Sequence, residues 1–166
     1  MSRRPVIGVM GAGGGASPRD CALAEALGAE IARRGWILLC GGRAAGIMDA
    51  AAKGARSIPG SLIVGILPGE GDDPGVSPHL DVAVFTGMGN ARNAVNVLSS
   101  DVVIACGTGG AGTASEVSLA IKSGKPVVLL APSEEAAAFF RTLDPRVATA
   151  ASVAEASELV ARIVDA

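Results

Sequence analysis

Aromatic residues are scarce in this chain of 166 residues: they make up 2% of it, and tyrosine is absent. The core must therefore be built from valine, isoleucine, leucine and alanine, and the chain lacks aromatic platforms on which bases stack. Basic residues are not in excess either, since 14 lysines and arginines face 16 acidic residues, for a formal net charge of −2. With neither stacking groups nor positive charge, we expect no nucleic-acid partner.

Metal-binding patterns are lacking as well. The three cysteines, Cys21, Cys40 and Cys106, have no ligand spacing, and the single histidine, His79, lies in an irregular segment that we predict to be a surface loop. We therefore predict no metal site, and an odd number of cysteines favours a reducing cytoplasm over a disulfide scaffold. Cys40 and Cys106 stand before glycine-rich turns, either as small core residues or as thiols that face a ligand.

Signals for membranes and secretion are not found. The apolar run after Arg4 is short and breaks into glycines, and no stretch approaches the length of a membrane span. We expect a soluble cytoplasmic protein with no membrane partner.

What the chain does have is a regular alternation of short apolar runs with helical patterns. Valine-rich runs of this kind are typical of parallel strands buried on both faces. We predict strands at Val6–Met10, Trp36–Cys40, Leu62–Leu67, Asp81–Phe85, Val102–Cys106, Pro126–Leu130 and Arg146–Ala150. We predict helices at Pro18–Arg34, Ile47–Ser57, after Asn90, and at Ala114–Ser123, Ser133–Leu143 and Ser152–Val164. Right-handed crossovers then give a single-domain α/β fold over residues 1–166, a doubly wound, Rossmann-like parallel sheet with helices on both faces.

Four glycine-rich turns each follow a predicted strand and lead into a predicted helix. The carboxyl ends of parallel strands meet at one edge of the sheet, where ligands of this architecture bind. Glycine lets the backbone approach a ligand, and helix N-termini attract anions. The turns therefore predict a cradle for a phosphate-bearing small molecule. Its candidate residues are Gly11, Gly13, Gly41, Gly42, Arg43, Gly87, Asn90, Arg92, Gly109, Gly110, Gly112 and Thr113.

Each of these turns also has a purely structural interpretation. The stretch Gly107–Glu116 is either the centre of the phosphate site or a plain turn, with Thr113 as the helix N-cap and Glu116 completing a capping box. Arg43 either pairs with an anion or is solvated. Arg92 and Asn96, four residues apart, share a helix face, which either joins the site or faces solvent with Asn90 as the cap.

The first turn, Gly11–Ala16, fits the pattern G-x-G-x-x-A. A dinucleotide site also needs an acidic residue at the end of the second strand. Here that strand ends in Cys40-Gly41-Gly42-Arg43, so we do not expect NAD.

Several of these motifs resemble one family. Gly109–Glu116 is similar to the G-G-x-G-T-x-x-E signature of the LOG-like (Lonely Guy) proteins, and Arg92 stands where that family has an arginine. Gly41–Met48 resembles its G-G-x-x-G-x-M segment. The longer segments P-V-I-G-V-M-G, G-W-I-L-L-C-G-G-R and G-T-A-S-E-V-S-L-A-I-K-S-G-K-P-V-V-L-L resemble most the molybdenum cofactor carrier proteins within this superfamily.

The resemblance implies two functions. Carrier proteins bind the molybdenum cofactor, a phosphate-bearing molybdopterin, without chemistry, and molybdoenzymes are the recipients it suggests. LOG enzymes are phosphoribohydrolases that cleave the N-glycosidic bond of a nucleoside 5′-monophosphate, and Arg92 and Glu116 match their catalytic residues. The chain departs from the LOG pattern at Thr108, where LOG has proline, and at Asn93, where LOG has lysine. We therefore predict a carrier, with the hydrolase as the alternative and a nucleotide sensor without turnover as a third hypothesis. Both parent groups imply a homo-oligomer, a dimer or a tetramer.

Overall fold

The structure, a computed structural model, describes residues 3–71, 74–107 and 109–166. Seven strands and six α-helices alternate along these residues, except that the third and fourth strands follow each other without a helix between them. The strands are β1 (Val6–Met10), β2 (Ile37–Cys40), β3 (Ile63–Leu67), β4 (Val82–Phe85), β5 (Val102–Cys106), β6 (Val127–Leu130) and β7 (Ala148–Ala150). The helices are α1 (Pro18–Arg33), α2 (Gly46–Arg56), α3 (Asn93–Ser99), α4 (Ala111–Lys122), α5 (Glu134–Leu143) and α6 (Val153–Val164).

All seven strands lie in one parallel sheet with the order β4-β3-β2-β1-β5-β6-β7. The chain first builds outward from β1 to β4 and then returns to pair β5 with the other side of β1. The strand order therefore reverses between β1 and β5. Their carboxyl ends form the switch point at which doubly wound folds bind ligands.

Two apolar layers sandwich the sheet. One packs α1, α2 and α6 against side chains such as Ile7, Leu38 and Ile104. The other packs α3, α4 and α5 against side chains such as Leu39 and Val103. Because successive strand residues point to opposite faces, each inner strand supplies both layers. The predicted fold class is confirmed.

The bounds of most elements agree with the prediction to within one residue, and β1 and β5 match it at both ends. The last strand is shorter than expected because Arg146 belongs to a turn: its guanidinium and its N–H both donate to the carboxylate of Asp144. Within the described residues, no helix is both long and apolar enough to cross a bilayer.

The predicted start of α4 is wrong. The helix begins at Ala111, three residues early, after the extended Gly110 as its N-cap. Thr113 is consequently inside the first turn and does not cap it. Glu116 completes no capping box, since its carboxylate accepts from the side chain of Asn96 instead.

The structural interpretation of Asn90 and Arg92 is also wrong. Gly89–Arg92 forms a 3-10 turn that continues directly into α3, and Asn90 is exposed without a capping bond. Arg92 does not face solvent, because only 8% of its surface is exposed.

Candidate anion-binding site

A cavity of about 360 Å³ opens at the switch point between β1 and β5. Its walls come from the turns after β1, β2 and β5 and from the turn that precedes α3. Residues that line it are Val9, Met10, Gly11, Ala12, Gly13, Gly14, Gly41, Arg43, Met48, Asn90, Arg92, Asn93, Gly110, Gly112, Thr113 and Glu116. Most of the residues predicted from the sequence therefore meet around one space.

The N-terminus of α4 forms one wall. None of the described side chains caps it, and the first hydrogen bond of the helix runs from the N–H of Ala114 to the carbonyl of Gly110. The N–H groups of Ala111, Gly112 and Thr113 precede that bond and have no partner within the helix. Together with the helix dipole they favour an anion.

Another part of the lining holds Arg92 against the backbone of Gly41. A β-carbon on Gly41 would lie 2.6 Å from Nη1 of Arg92 and 2.5 Å from the sulfur of Met48. Only glycine at position 41 leaves room for the Arg92 guanidinium in the position that it occupies. The Nε atom of Arg92 is buried and has no hydrogen-bond partner among the described residues.

Arg92, Asn96 and Glu116 form a buried polar cluster at the base of the cavity. The Nδ2 atom of Asn96 donates to Oε1 of Glu116 at 3.0 Å, and Nη1 of Arg92 lies 4.0 Å from the same oxygen. Burial raises the pKa of Glu116, while Asn96 and Arg92 act in the opposite direction. Burial also lowers the pKa of Arg92, an effect that Glu116 opposes. A buried carboxyl group with a raised pKa beside a cation can take up and release a proton near neutral pH more readily than an exposed carboxyl group.

Arg43 brings a second positive charge to the rim. Its backbone pairs with Val76 in an antiparallel bridge, and the N–H of Ser77 donates to the carbonyl of Gly42. The hydroxyl of Ser77 donates to Asp49 on α2. The Gly75–Ser77 part of the long loop therefore fixes the turn that carries Arg43, and the Arg43 side chain remains exposed.

Three of the predicted glycines do not line the cavity. Gly42 and Gly109 have positive φ, and a β-carbon on them would lie 2.9 Å from Leu67 and 2.7 Å from Thr113. Gly87 also has positive φ, with Glu70 beside it. These glycines shape the turns behind the walls.

The sequence prediction left Asn96 open between the site and solvent, and it did not assign Met48 to the site. Asn96 was recognisable as a neighbour of Arg92 at four-residue spacing, and Met48 belongs to the G-G-x-x-G-x-M segment. Thr108 lies outside the described residues.

The cysteines lie apart from the cavity. Cys40 and Cys106 are buried, and burial raises their pKa values to about 11 and about 12. Neither lines the cavity, which agrees with their interpretation as core residues. In the described part of the chain, no group of three or more His, Cys, Asp and Glu side chains is placed to hold a metal ion. His79 is half-buried, and its carbonyl accepts from Arg56.

Comparison with known proteins identifies relatives over nearly the whole chain. The SLOG cluster4 family matches residues 4–159. The structure of the molybdenum cofactor binding protein from the phototrophic bacterium Rippkaea orientalis is 47% identical, with a TM-score of 0.94 and 99% of both chains covered. That of the molybdenum cofactor carrier protein from Chlamydomonas reinhardtii is 44% identical, with a TM-score of 0.91, covering 98% of this chain and 100% of the other.

An uncharacterized protein of Archaeoglobus fulgidus is 44% identical over 76% of this chain and 80% of its own length. The matches with the two structures span the turns that build the cavity, and the TM-scores show that the fold is similar over the same length. The chain therefore belongs to the SLOG cluster4 family, in the LOG-like superfamily, and is similar throughout to molybdenum cofactor carrier proteins.

Proposed function

We propose that this protein binds and carries the molybdenum cofactor in the cavity at the switch point. The observation that carries the proposal is Arg92: a buried arginine lines the cavity beside an uncapped helix start, and its Nε lacks a protein partner in the described residues. Buried polar atoms are nearly always hydrogen-bonded in folded proteins. An arginine held in this way is therefore arranged for an anionic group from outside the chain. The similarity to cofactor binding and carrier proteins over the full length supports the same ligand.

The residues present fit such a cofactor. Its phosphate would be held by the N–H groups at the start of α4, around Gly110, Gly112 and Thr113, with Arg92 as the counter-charge. Arg43 supplies charge at the rim, and Asn90 offers an amide there. Gly11, Gly13 and Gly41 let the backbone approach the pterin. Gly42, Gly87 and Gly109 contribute through the shape of the turns.

A carrier needs no reacting group, and the cavity provides a preformed surface with several polar groups in fixed positions. The molybdenum is cargo in this proposal, held by the pterin and not by protein ligands. Molybdoenzymes are the proposed recipients.

The test is retention of the cofactor. We expect the purified protein, incubated without oxygen with freshly released molybdenum cofactor, to keep it through gel filtration and to slow its loss in air. Arg92→Met should weaken binding by about 2–5 kcal/mol, because it removes a desolvated charge from an anion site. Arg162→Ala, an exposed arginine on α6, is the matched control. A wild-type protein that neither retains nor protects the cofactor would refute the proposal.

One observation favours the phosphoribohydrolase as a second candidate. Glu116 lines the cavity, and its raised pKa is of the kind that suits a general acid or base. The hydrolase predicts that the wild type releases adenine from 5′-AMP and that Glu116→Gln, with its fold intact, does not. Saturable binding of 5′-AMP with no adenine released would instead favour a nucleotide sensor.

We also propose that residues 1–166 act as one cytoplasmic domain that assembles into a homo-oligomer. The side chains of Val82 and Val84 on the edge strand β4 point to the same face as Val64 and Ile66, and 44% and 38% of their surfaces are exposed. Leu98 on α3 is 59% exposed. Val82 and Val84 are neighbours on one face of the edge strand, and contiguous exposed apolar surface is typical of association sites. Light scattering on the purified protein measures the subunit number, and a monomer at micromolar concentration would contradict this part of the proposal.

A further inference from the structure

The carboxylate of Glu116 has Arg92 as its neighbouring cation, and the proposed anionic ligand binds the same Arg92. Only 6% of Glu116 and 8% of Arg92 are exposed, and Oε1 of Glu116 lies 4.0 Å from Nη1 of Arg92. The same Arg92 lines the cavity together with Gly112 and Thr113 from the first turn of α4. When an anion binds Arg92, the anion and the Glu116 carboxylate both pair with one guanidinium. Both side chains are buried, so little water is present to screen the two negative charges. Like charges in such a place disfavour each other's ionised form.

The other described neighbours of Glu116 supply no positive charge that could replace that of Arg92. Asn96 donates one hydrogen bond and carries no charge. The Cys40 thiol, on β2, feels the Glu116 charge but stays neutral, because burial raises its pKa to about 11. Arg43 acts on Arg92 from the rim, and the Asp49 carboxylate on α2 adds negative charge near Cys40. Arg92 is therefore the one cation in contact with Glu116 among the described residues.

Asn96 is placed to accept a proton bound to Glu116. It is fully buried, and its Oδ1 atom has no hydrogen-bond partner in the described part of the protein, while Nδ2 donates to Oε1 of Glu116. Rotating the amide by 180° exchanges these two atoms. A carboxylic acid at Glu116 would then donate its O–H to Oδ1, so Asn96 can serve the carboxylate in one orientation and the acid in the other.

We propose that Glu116 takes up one proton when an anionic ligand engages Arg92, with Asn96 as the positioning residue, so that ligand binding is coupled to proton uptake. This inference rests on the proposed function of the cavity. The proton comes from solvent through the open side of the cavity and adds to the carboxylate as a neutral acid, and no other bond changes. The raised pKa of Glu116 agrees with this direction, because a further negative charge raises it again.

The sign of the pH dependence follows from linkage. A ligand that raises the pKa of Glu116 binds more tightly when Glu116 is already protonated. Affinity is therefore greatest below the pKa of Glu116 in the ligand-free protein and falls by about tenfold per pH unit between that pKa and the higher pKa of Glu116 in the complex. The phosphate of the ligand itself titrates near pH 6 and acts in the opposite direction, since its dianion binds a cation better. A comparison with a variant that lacks the Glu116 proton separates the two effects.

The experiment measures binding of molybdopterin, with inorganic phosphate as a second probe, by calorimetry across pH and in two buffers of different ionisation enthalpy. At a pH between the pKa of Glu116 in the ligand-free protein and its higher pKa in the complex, we expect the wild type to take up close to one proton more than Glu116→Gln. Glu116→Gln, a neutral mimic of the acid, should lose the decline of affinity at higher pH. Asn96→Ala removes the hydrogen bond to the carboxylate, so the decline should begin at higher pH. If Asn96→Ala does not fold, the Glu116→Gln comparison still decides the proposal.

Equal proton counts and parallel pH profiles in the wild type and Glu116→Gln, with binding retained, would overturn the coupling and leave the carrier function intact. If neither the wild type nor Glu116→Gln binds molybdopterin or phosphate, both the proton coupling and the carrier function are refuted. Proton-coupled binding of phosphate without binding of molybdopterin would support the coupling and refute the cofactor assignment.

Discussion

The helices of this protein begin in two ways, with a serine cap or without one, and the uncapped α4 places its first turn at the cavity. Helices α1, α5 and α6 start after Ser17, Ser133 and Ser152, whose hydroxyls each accept an N–H of the first turn. Helices α2 and α4 start after Ala45 and Gly110, which make no such bond. A serine cap uses an N–H of the first turn, and at the start of α2 the N–H of Ile47 donates instead to the carbonyl of Ala12. The N–H groups at the start of α4 have neither kind of partner among the described residues, so they are left for a ligand. Gly110 and the first turn of α4 line the cavity, so the missing cap is a feature of the site.

The largest effect should come from the close contact between Gly41 and Arg92. Gly41→Ala places a methyl group where Nη1 of Arg92 and the sulfur of Met48 now lie, at 2.6 and 2.5 Å. The guanidinium must move away from its position, and we expect the dissociation constant for the cofactor to rise by roughly 30-fold or more. Binding calorimetry measures it. Gly69→Ala is the control, since a β-carbon there meets nothing within 4 Å. Equal affinity in both variants would mean that the position of Arg92 does not matter for the ligand.

A smaller effect should follow from giving α4 the cap that it lacks. Gly110 has φ −141° and ψ −165°, a conformation open to any residue, and its β-carbon would meet no neighbour within 4 Å. Gly110→Asp would satisfy the free N–H groups and bring negative charge, so we expect about tenfold weaker anion binding and a slightly higher melting temperature. Gly110→Asn caps without charge and separates competition for the N–H groups from repulsion. Undiminished binding by Gly110→Asp would show that the start of α4 does not hold the anion.

The smallest effect should come from removing the serine cap of α6, a helix that does not line the cavity. Ser152→Ala leaves the N–H of Glu155 without its side-chain acceptor. We expect a loss of about 1 kcal/mol of stability, or about 2–4 °C in melting temperature, with no change in binding. Thermal denaturation and calorimetry test both parts. A Ser152→Ala variant with weakened binding would contradict the division between structural and ligand-facing helix starts.

Local sequence was sufficient for the fold. Alternating apolar runs and helical periods predict the strands and helices, because each element buries its own stripe against the sheet. The turn that precedes α4 shows the limit of such patterns. Thr113 has the residue type of a cap, yet the chain enters the helix three residues earlier at a glycine that offers no side-chain signal.

The site was predictable in position but not in detail. The edge at which the turns meet follows from parallel topology alone. The bond between Asn96 and Glu116 joins two helices 20 residues apart in sequence, and no periodicity indicates it. The burial of Arg92 against Gly41 likewise depends on how two turns approach each other in space.

The pairing of β1 with β5 has a consequence for the order of folding. Val6 donates its N–H to Asp101, 95 residues later in the chain, and Ile7 pairs with Val102. Contacts of such long range close late, because they must overcome the entropy of a large loop. During synthesis the first four strands emerge before either β5 or α4 exists. The nascent amino-terminal half therefore has no cofactor cradle, and loading must wait until the ribosome has delivered the middle of the chain.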